Sequence, residues 1–147
     1  MKRLFLSMLV ALMALASWAV NNDQYTIIVS LDGFRWDYCE AYNTPFLNSM
    51  AEKGVKAVMS PSFPSKTFPN HYTLATGLVP DHHGIIANSF RIRSTGKKYS
   101  LGNAETRSDT RNYGGDPIWL TAKRQGMTTA TVYWVGSDIP IKGGYAN

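Results

Sequence analysis

The sequence predicts an α/β fold, a mostly parallel sheet flanked by helices, and three observations carry that expectation. The run YTIIVSLDG (residues 25–33) is apolar and β-branched without polar alternation, as suits a strand covered on both faces. NTPFLNSMAEKG (43–54) is a strongly punctuated helix, with Thr44 as N-cap, Pro45 at the first helical position and Gly54 as the stop. VKAVMS (55–60) then reads as a second strand. A strand–helix–strand order joined by short turns implies parallel pairing with right-handed crossovers.

Before these elements stands MKRLFLSMLVALMALASWAV, with a cationic start at Lys2 and Arg3, an apolar run from Leu4 to about Ala16, and small residues at Ser17 and Ala19. This is the pattern of a cleavable signal peptide over residues 1–19. Its apolar run falls short of the roughly 20 residues that cross a bilayer. The expectation is therefore a secreted or periplasmic product with no stable membrane insertion after cleavage. Removing Lys2 and Arg3 takes Lys plus Arg from 15 to 13 against 10 acids, so the net charge falls from +5 to +3. That balance gives little support to a nucleic-acid polymer as partner. The single Cys39 cannot form an internal disulfide, so stability must come from a core. With 44% hydrophobic and 17% charged residues, the composition is that of a globular domain.

Beyond residue 60, Pro69 suits the first turn of a helix through NHYTLATG, with Thr67 at its mouth. RIRSTGKKYS (91–100) reads as a solvated hairpin turning around residues 94–97. The rest of residues 78–115 is irregular in pattern. DPIWLTAKRQG gives a further helix bracketed by Asp116, Pro117 and Gly126, and MTTATVYW (127–134) a further strand.

Ligands of open parallel sheets collect beyond the carboxyl ends of the strands. Asp32 ends the first strand, and Thr67 follows the second after a short loop, so two oxygen-bearing side chains converge on one edge. Thr67 would also lie beside free N–H groups at the positive end of a helix dipole, a place suited to phosphate. A threonine hydroxyl is a weak nucleophile unless a base or a metal takes its proton. No Ser-His-Asp order is visible, so Asp32 and Thr67 as hard oxygen ligands of one ion is the stronger chemistry. From residue types alone, the same pair equally describes an ordinary helix-capping arrangement. His71, His82 and His83 read as structural or surface residues.

The segments IVSLDGFRWDY, TPFLNSMAEKGV, SFPSKTFPNHYTLATGLVPDHHGIIANSF, GGDPIWLTAKRQG and YWVGSD occur in the order and spacing of one family. The chain thereby resembles the nucleotide pyrophosphatase/phosphodiesterase family of the alkaline phosphatase superfamily, from about Tyr25 to the last residue. The resemblance implies an alkaline-phosphatase-like fold and two zinc ions. It implies Thr67 as covalent nucleophile and zinc ligand, Asp32 as zinc ligand, and Asn88 as holder of a phosphate oxygen. It further implies Phe68, Trp134 and Asp138 as substrate contacts, with Phe68 stacking on a base; core packing remains open for Phe68 and Trp134. Val135 stands where the family has proline. A neutral amide at the phosphate favours a diester, so the expected substrate is a small nucleotide or other phosphodiester. Alternatives are a phosphomonoesterase or phospholipid-directed diesterase of the same superfamily, or a non-enzymatic secreted phosphate-binding domain. Because the family's remaining zinc ligands lie later in its domain, residues 20–147 are expected to be the N-terminal part of a truncated catalytic domain, inactive alone.

Overall fold

The computed structural model describes residues 25–146. The expected signal peptide, residues 1–19, lies outside the described residues. The chain divides into two compact units, residues 1–30 and 31–147. Of the first, only residues 25–30 are described; they carry no helix or strand and expose Tyr25, Ile27 and Val29.

The second unit runs α1 (Tyr38–Ala41), α2 (Pro45–Lys53), α3 (Thr67–Thr76), α4 (Pro80–His83), β1 (Ser89–Arg91), β2 (Lys98–Ser100), α5 (Ala104–Arg107), a 3-10 turn (Thr110–Asn112), α6 (Ile118–Arg124) and a second 3-10 turn (Ile141–Gly143). The punctuation read from the sequence forms α2 as expected: Thr44 is its N-cap, Pro45 its first residue and Gly54 its C-cap. Gly77 closes α3 in the left-handed region at φ 70° and Gly126 follows α6 at φ 82°, conformations that cost a residue with Cβ.

The sheet differs from expectation. Among the described residues the strands are β1 and β2 alone, an antiparallel hairpin pairing Ser89 with Ser100, Phe90 with Tyr99 and Arg91 with Lys98. Its turn falls where the sequence places it, with Gly96 at φ 67°. Residues 25–33, 55–60 and 127–134, expected as parallel strands, carry no ladder. A strand is defined by its neighbour's hydrogen bonds, and the described residues supply these runs with no ladder partners. Val55 is 95% exposed and Val132 80%. Their β-branched composition states a preference for burial that the described residues leave unmet.

The core sits instead around α3. Its face Pro69, Tyr72 and Ala75 is buried against Ile85, Tyr99, Tyr113, Trp119, Leu120, Val135, Ile139 and Ile141. Tyr72 meets Tyr113 edge-on at 5.3 Å, and Tyr99 stacks on Phe90 at 4.7 Å. The Tyr99 and Tyr113 hydroxyls share a hydrogen bond of 2.9 Å, and burial pushes both phenols above their usual range. Three of these core residues, Ile85, Tyr99 and Tyr113, come from residues 78–115, where the sequence shows no pattern apart from the hairpin.

His83 is completely buried beside it. Ile85 N–H donates to His83 Nδ1 at 3.2 Å, so the neutral ring carries its proton on Nε2 and donates to Thr73 Oγ1 at 3.0 Å. Burial pulls the imidazole pKa below its ordinary value. This histidine is structural: it ties α4 to the middle of α3.

Candidate active site

Asp32 occupies a turn, Leu31–Phe34, closed by Phe34 N–H on Leu31 O at 3.3 Å with Gly33 at φ 68°. Positive φ at the third turn position is why glycine follows the aspartate. Thr67 opens α3 as its first residue, with Lys66 in extended conformation before it. Thirty-five residues apart in sequence, the two meet: Thr67 Oγ1 donates to Asp32 Oδ2 at 3.2 Å.

Asn70, one turn into α3, fixes the approach. Its Oδ1 accepts from Ser62 N–H at 2.7 Å, and its Nδ2 donates to the carbonyls of Ser62, Pro64 and Lys66 at 3.0–3.3 Å. Loop carbonyls and a loop N–H that would otherwise face solvent are thereby locked to the helix that carries Thr67. Sequence reasoning missed Asn70. The available signal was an asparagine inside a helix, where it is a poor former unless its side chain bonds backbone.

Asn88 reaches the residue after Thr67. Its Oδ1 accepts from Phe68 N–H at 3.0 Å. That contact orients the amide, leaving the NH₂ end as the donor available to a bound anion. It also alters the expectation of free N–H groups at the helix mouth. Phe68 N–H is taken by Asn88, Pro69 has none, and Asn70 N–H bonds Lys66 O at 3.1 Å. Thr67 keeps its own N–H.

Phe68, Trp134 and Asp138 come together. With Arg107, Tyr113 and Ser137 they line one open cleft of about 560 Å³, within the range of small-molecule sites, about 300–1,000 Å³. Phe68 and Trp134 also pack against the core, so each has one face in the cleft and one in the interior. Trp134 Nε1–H donates to His71 O at 3.0 Å, fixing its ring beside α3. The turn after it forms without the family's proline: Ser137 N–H bonds Trp134 O at 3.0 Å, and Gly136 sits at φ 82° against Tyr72 and Ile141. Asp138 is ion-paired with Arg107 at 3.5 Å.

A metal fits this site only in part. Asp32 and Thr67 offer two hard oxygens, and among the described residues no group of three or more His, Cys, Asp or Glu gathers anywhere. Zinc takes about three or four protein ligands. The described residues therefore offer two candidate ligands, fewer than a complete zinc centre takes. His71 Nδ1 is bound to Thr67 O at 2.9 Å, and His83 is enclosed in the core.

Known proteins resemble this chain in sequence and in backbone. The family model for type I phosphodiesterase / nucleotide pyrophosphatase matches residues 26–146. The chain is similar to ectonucleotide pyrophosphatase/phosphodiesterase family member 3 of Rattus norvegicus, 42% identical over 82% of this chain and 14% of the relative. A pyrophosphatase/phosphodiesterase of Schizosaccharomyces pombe is 44% identical over 80% of this chain and 24% of its own length. Among solved structures, murine ectonucleotide pyrophosphatase/phosphodiesterase 5 superposes with a TM-score of 0.76 at 36% identity, over 84% of this chain and 33% of the other. An inactive threonine-to-alanine form of that murine protein, in complex with AMP, superposes at 0.77 and 35% identity. The chain thus spans about a third or less of the proteins it matches. The backbone path is that of an alkaline-phosphatase-like fold, here with several helices and a small sheet. Matched over residues 26–146 of its 147, the chain belongs to the type I phosphodiesterase / nucleotide pyrophosphatase family.

Proposed function

We propose that this chain carries the nucleophile segment of an extracytoplasmic, zinc-dependent phosphodiesterase or nucleotide pyrophosphatase, with Thr67 as nucleophile. The observation that carries the reading is the Thr67 Oγ1–Asp32 Oδ2 contact at 3.2 Å, made across 35 residues at the mouth of α3. Asp32 and Thr67 would hold a zinc ion together with ligands from outside the described residues, and a second zinc would complete the centre. Bound there, the metal supplies Lewis acidity and lowers the hydroxyl pKa. The chain's own groups do the rest. Asp32 orients the Thr67 hydroxyl, Asn88 offers its NH₂ to a non-bridging phosphate oxygen, and Phe68 and Trp134 hold the apolar part of a nucleotide in the cleft. The AMP complex of the related murine protein supports a nucleotide as substrate class.

In a protein carrying this chain with its remaining ligands, Thr67→Ala abolishes hydrolysis of the nitrophenyl ester of thymidine monophosphate while bound zinc and circular dichroism stay near wild type. Thr67→Ser retains part of the turnover. Near wild-type rates in the alanine variant would remove the covalent mechanism.

A further inference from the structure

One peptide group, between Thr67 and Phe68, is gripped at both ends by side chains. The Thr67 carbonyl accepts from His71 Nδ1 at 2.9 Å, and the Phe68 N–H donates to Asn88 Oδ1 at 3.0 Å. A carbonyl only accepts, so the His71 ring carries a proton on Nδ1. A trans peptide is a rigid plate whose C=O and N–H point in opposite directions, and the two side chains therefore hold opposite edges of one plane. Fixing that plane fixes ψ of Thr67 and φ of Phe68, and with them the setting of the Thr67 side chain, whose Oγ1 meets Asp32 at 3.2 Å. His71 is itself anchored. Trp134 Nε1–H donates to its carbonyl at 3.0 Å, and the two rings meet edge-on at 5.8 Å. A helix asks of its first carbonyl only the N–H four residues on, so the imidazole is a donor that helix geometry does not require.

We propose that His71 is a positioning residue for phosphoryl transfer, holding the Thr67–Phe68 peptide so that the Thr67 hydroxyl and the Asn88 amide meet the same phosphate. This rests on the reading of Thr67 as nucleophile. The His71 Nδ1–H, the peptide and the Asn88 side chain form one chain of hydrogen bonds running from donor to acceptor and ending on the Asn88 NH₂. Each bond polarises the next. Donation into the Thr67 carbonyl makes Phe68 N–H a better donor, and its bond to Asn88 Oδ1 makes the NH₂ a better donor in turn. That end faces the phosphate oxygen on which charge develops in the transition state. His71 acts in this way without touching substrate. Without it the plate is held at one edge only, and hydroxyl and amide lose their common register.

Three variants and one spectrum test this, in a protein carrying this chain with its remaining ligands. His71→Leu lowers kcat for the nitrophenyl ester of thymidine monophosphate about tenfold, the upper end for one neutral hydrogen bond, and leaves KM nearly unchanged. His71→Asn sets its amide nitrogen as far along the side chain as Nδ1 and restores most of kcat. His71→Gln moves that nitrogen one bond further out and falls with the leucine variant. A merely structural histidine would lower the melting temperature in all three without this split. Independently of turnover, long-range ¹⁵N–¹H spectra of the neutral rings show the His71 proton on Nδ1, opposite to that of His83 on Nε2. Wild-type kcat in His71→Leu, an asparagine variant as slow as the leucine one, or a His71 proton on Nε2 overturns the positioning role and leaves Thr67 as nucleophile standing. Wild-type turnover in Thr67→Ala overturns the reading beneath it and the positioning role together.

Discussion

At the scale of single residues, Asn70 and Asn88 divide the work of placing Thr67. Asn70 ties residues 62–66 to α3 through four hydrogen bonds, while Asn88 holds the Phe68 N–H. Replacing Asn70 by alanine strands a loop N–H and loosens three carbonyls; denaturant unfolding should show a loss of about 2 kcal/mol. Asn70→Asp discriminates further, because it keeps the acceptor for Ser62 N–H and discards the donors, so an intermediate loss is expected. If both variants unfold like the wild type, the loop is held by something other than Asn70. Asn88 was named as a candidate from the family pattern, but which end of its amide Phe68 N–H takes up was not legible. That follows from Phe68 N–H, a backbone group whose direction only the folded helix defines.

At the scale of elements, α3 and α4 are joined through His83, and this gives the unit a pH dependence. Its imidazole pKa is lowered in the folded chain, by desolvation before any other cause. The surroundings include the Tyr72 ring, 5.0 Å away and edge-on, the Thr73 hydroxyl, the Ile85 N–H and the nearby charge of Asp81. Between the lowered folded value and the unfolded value near about 6.5, the unfolded chain binds more protons than the folded one. Stability therefore rises with pH in that window: it is complete above about 6.5 and declines as acid is added below it. Chemical denaturation followed from neutral to mildly acidic pH should show this slope, and His83→Gln should flatten it. A slope that persists unchanged in the variant would assign it to other groups. The turn after Trp134 offers a second check on an element. A Cβ at Gly136 would come within 2.9 Å of Ile141 Cδ1 and 3.3 Å of Tyr72 at a φ of 82°. Gly136→Ala should thus lower the melting temperature by several degrees, an effect of about 1–3 kcal/mol from strain and crowding.

For the whole molecule, the consequential fact is how much apolar chain faces water. In the larger unit Val55, Val58, Met59, Val132 and Tyr133 are mostly exposed; in the smaller one, Ile27 and Val29. Unpaired β-branched runs of this kind seek strand partners. Purified alone, the 147-residue chain is expected to associate in a concentration-dependent way in light scattering, and to show no diesterase turnover with zinc present, since the described residues offer two ligands where about three are needed. A monomer binding two zinc ions and turning over a nucleotide diester would show that the chain supplies ligands the described residues do not reveal. Among the described residues no helix is long and apolar enough to cross a membrane.

The sequence by itself determined the punctuation of α2 and α6 and the place of the hairpin turn, and it named Asp32 and Thr67, with Asn88 through the family resemblance, as candidates for one site. These are local or motif-level properties: proline fixes φ, glycine permits the positive φ that other residues avoid, and a family motif is recognisable in linear order. Only the tertiary structure decided which apolar residues are core. Tyr72, Tyr99 and Tyr113 come from segments with little periodicity, yet they are buried together, whereas the strongly β-like runs stay uncovered. Burial depends on which surfaces meet across the fold, and hydrophobic pattern states only a readiness to be covered. The same holds for Arg107, an unremarkable surface cation in the linear chain, which becomes a group of the cleft because α5 and the turn after Trp134 pack to face one another.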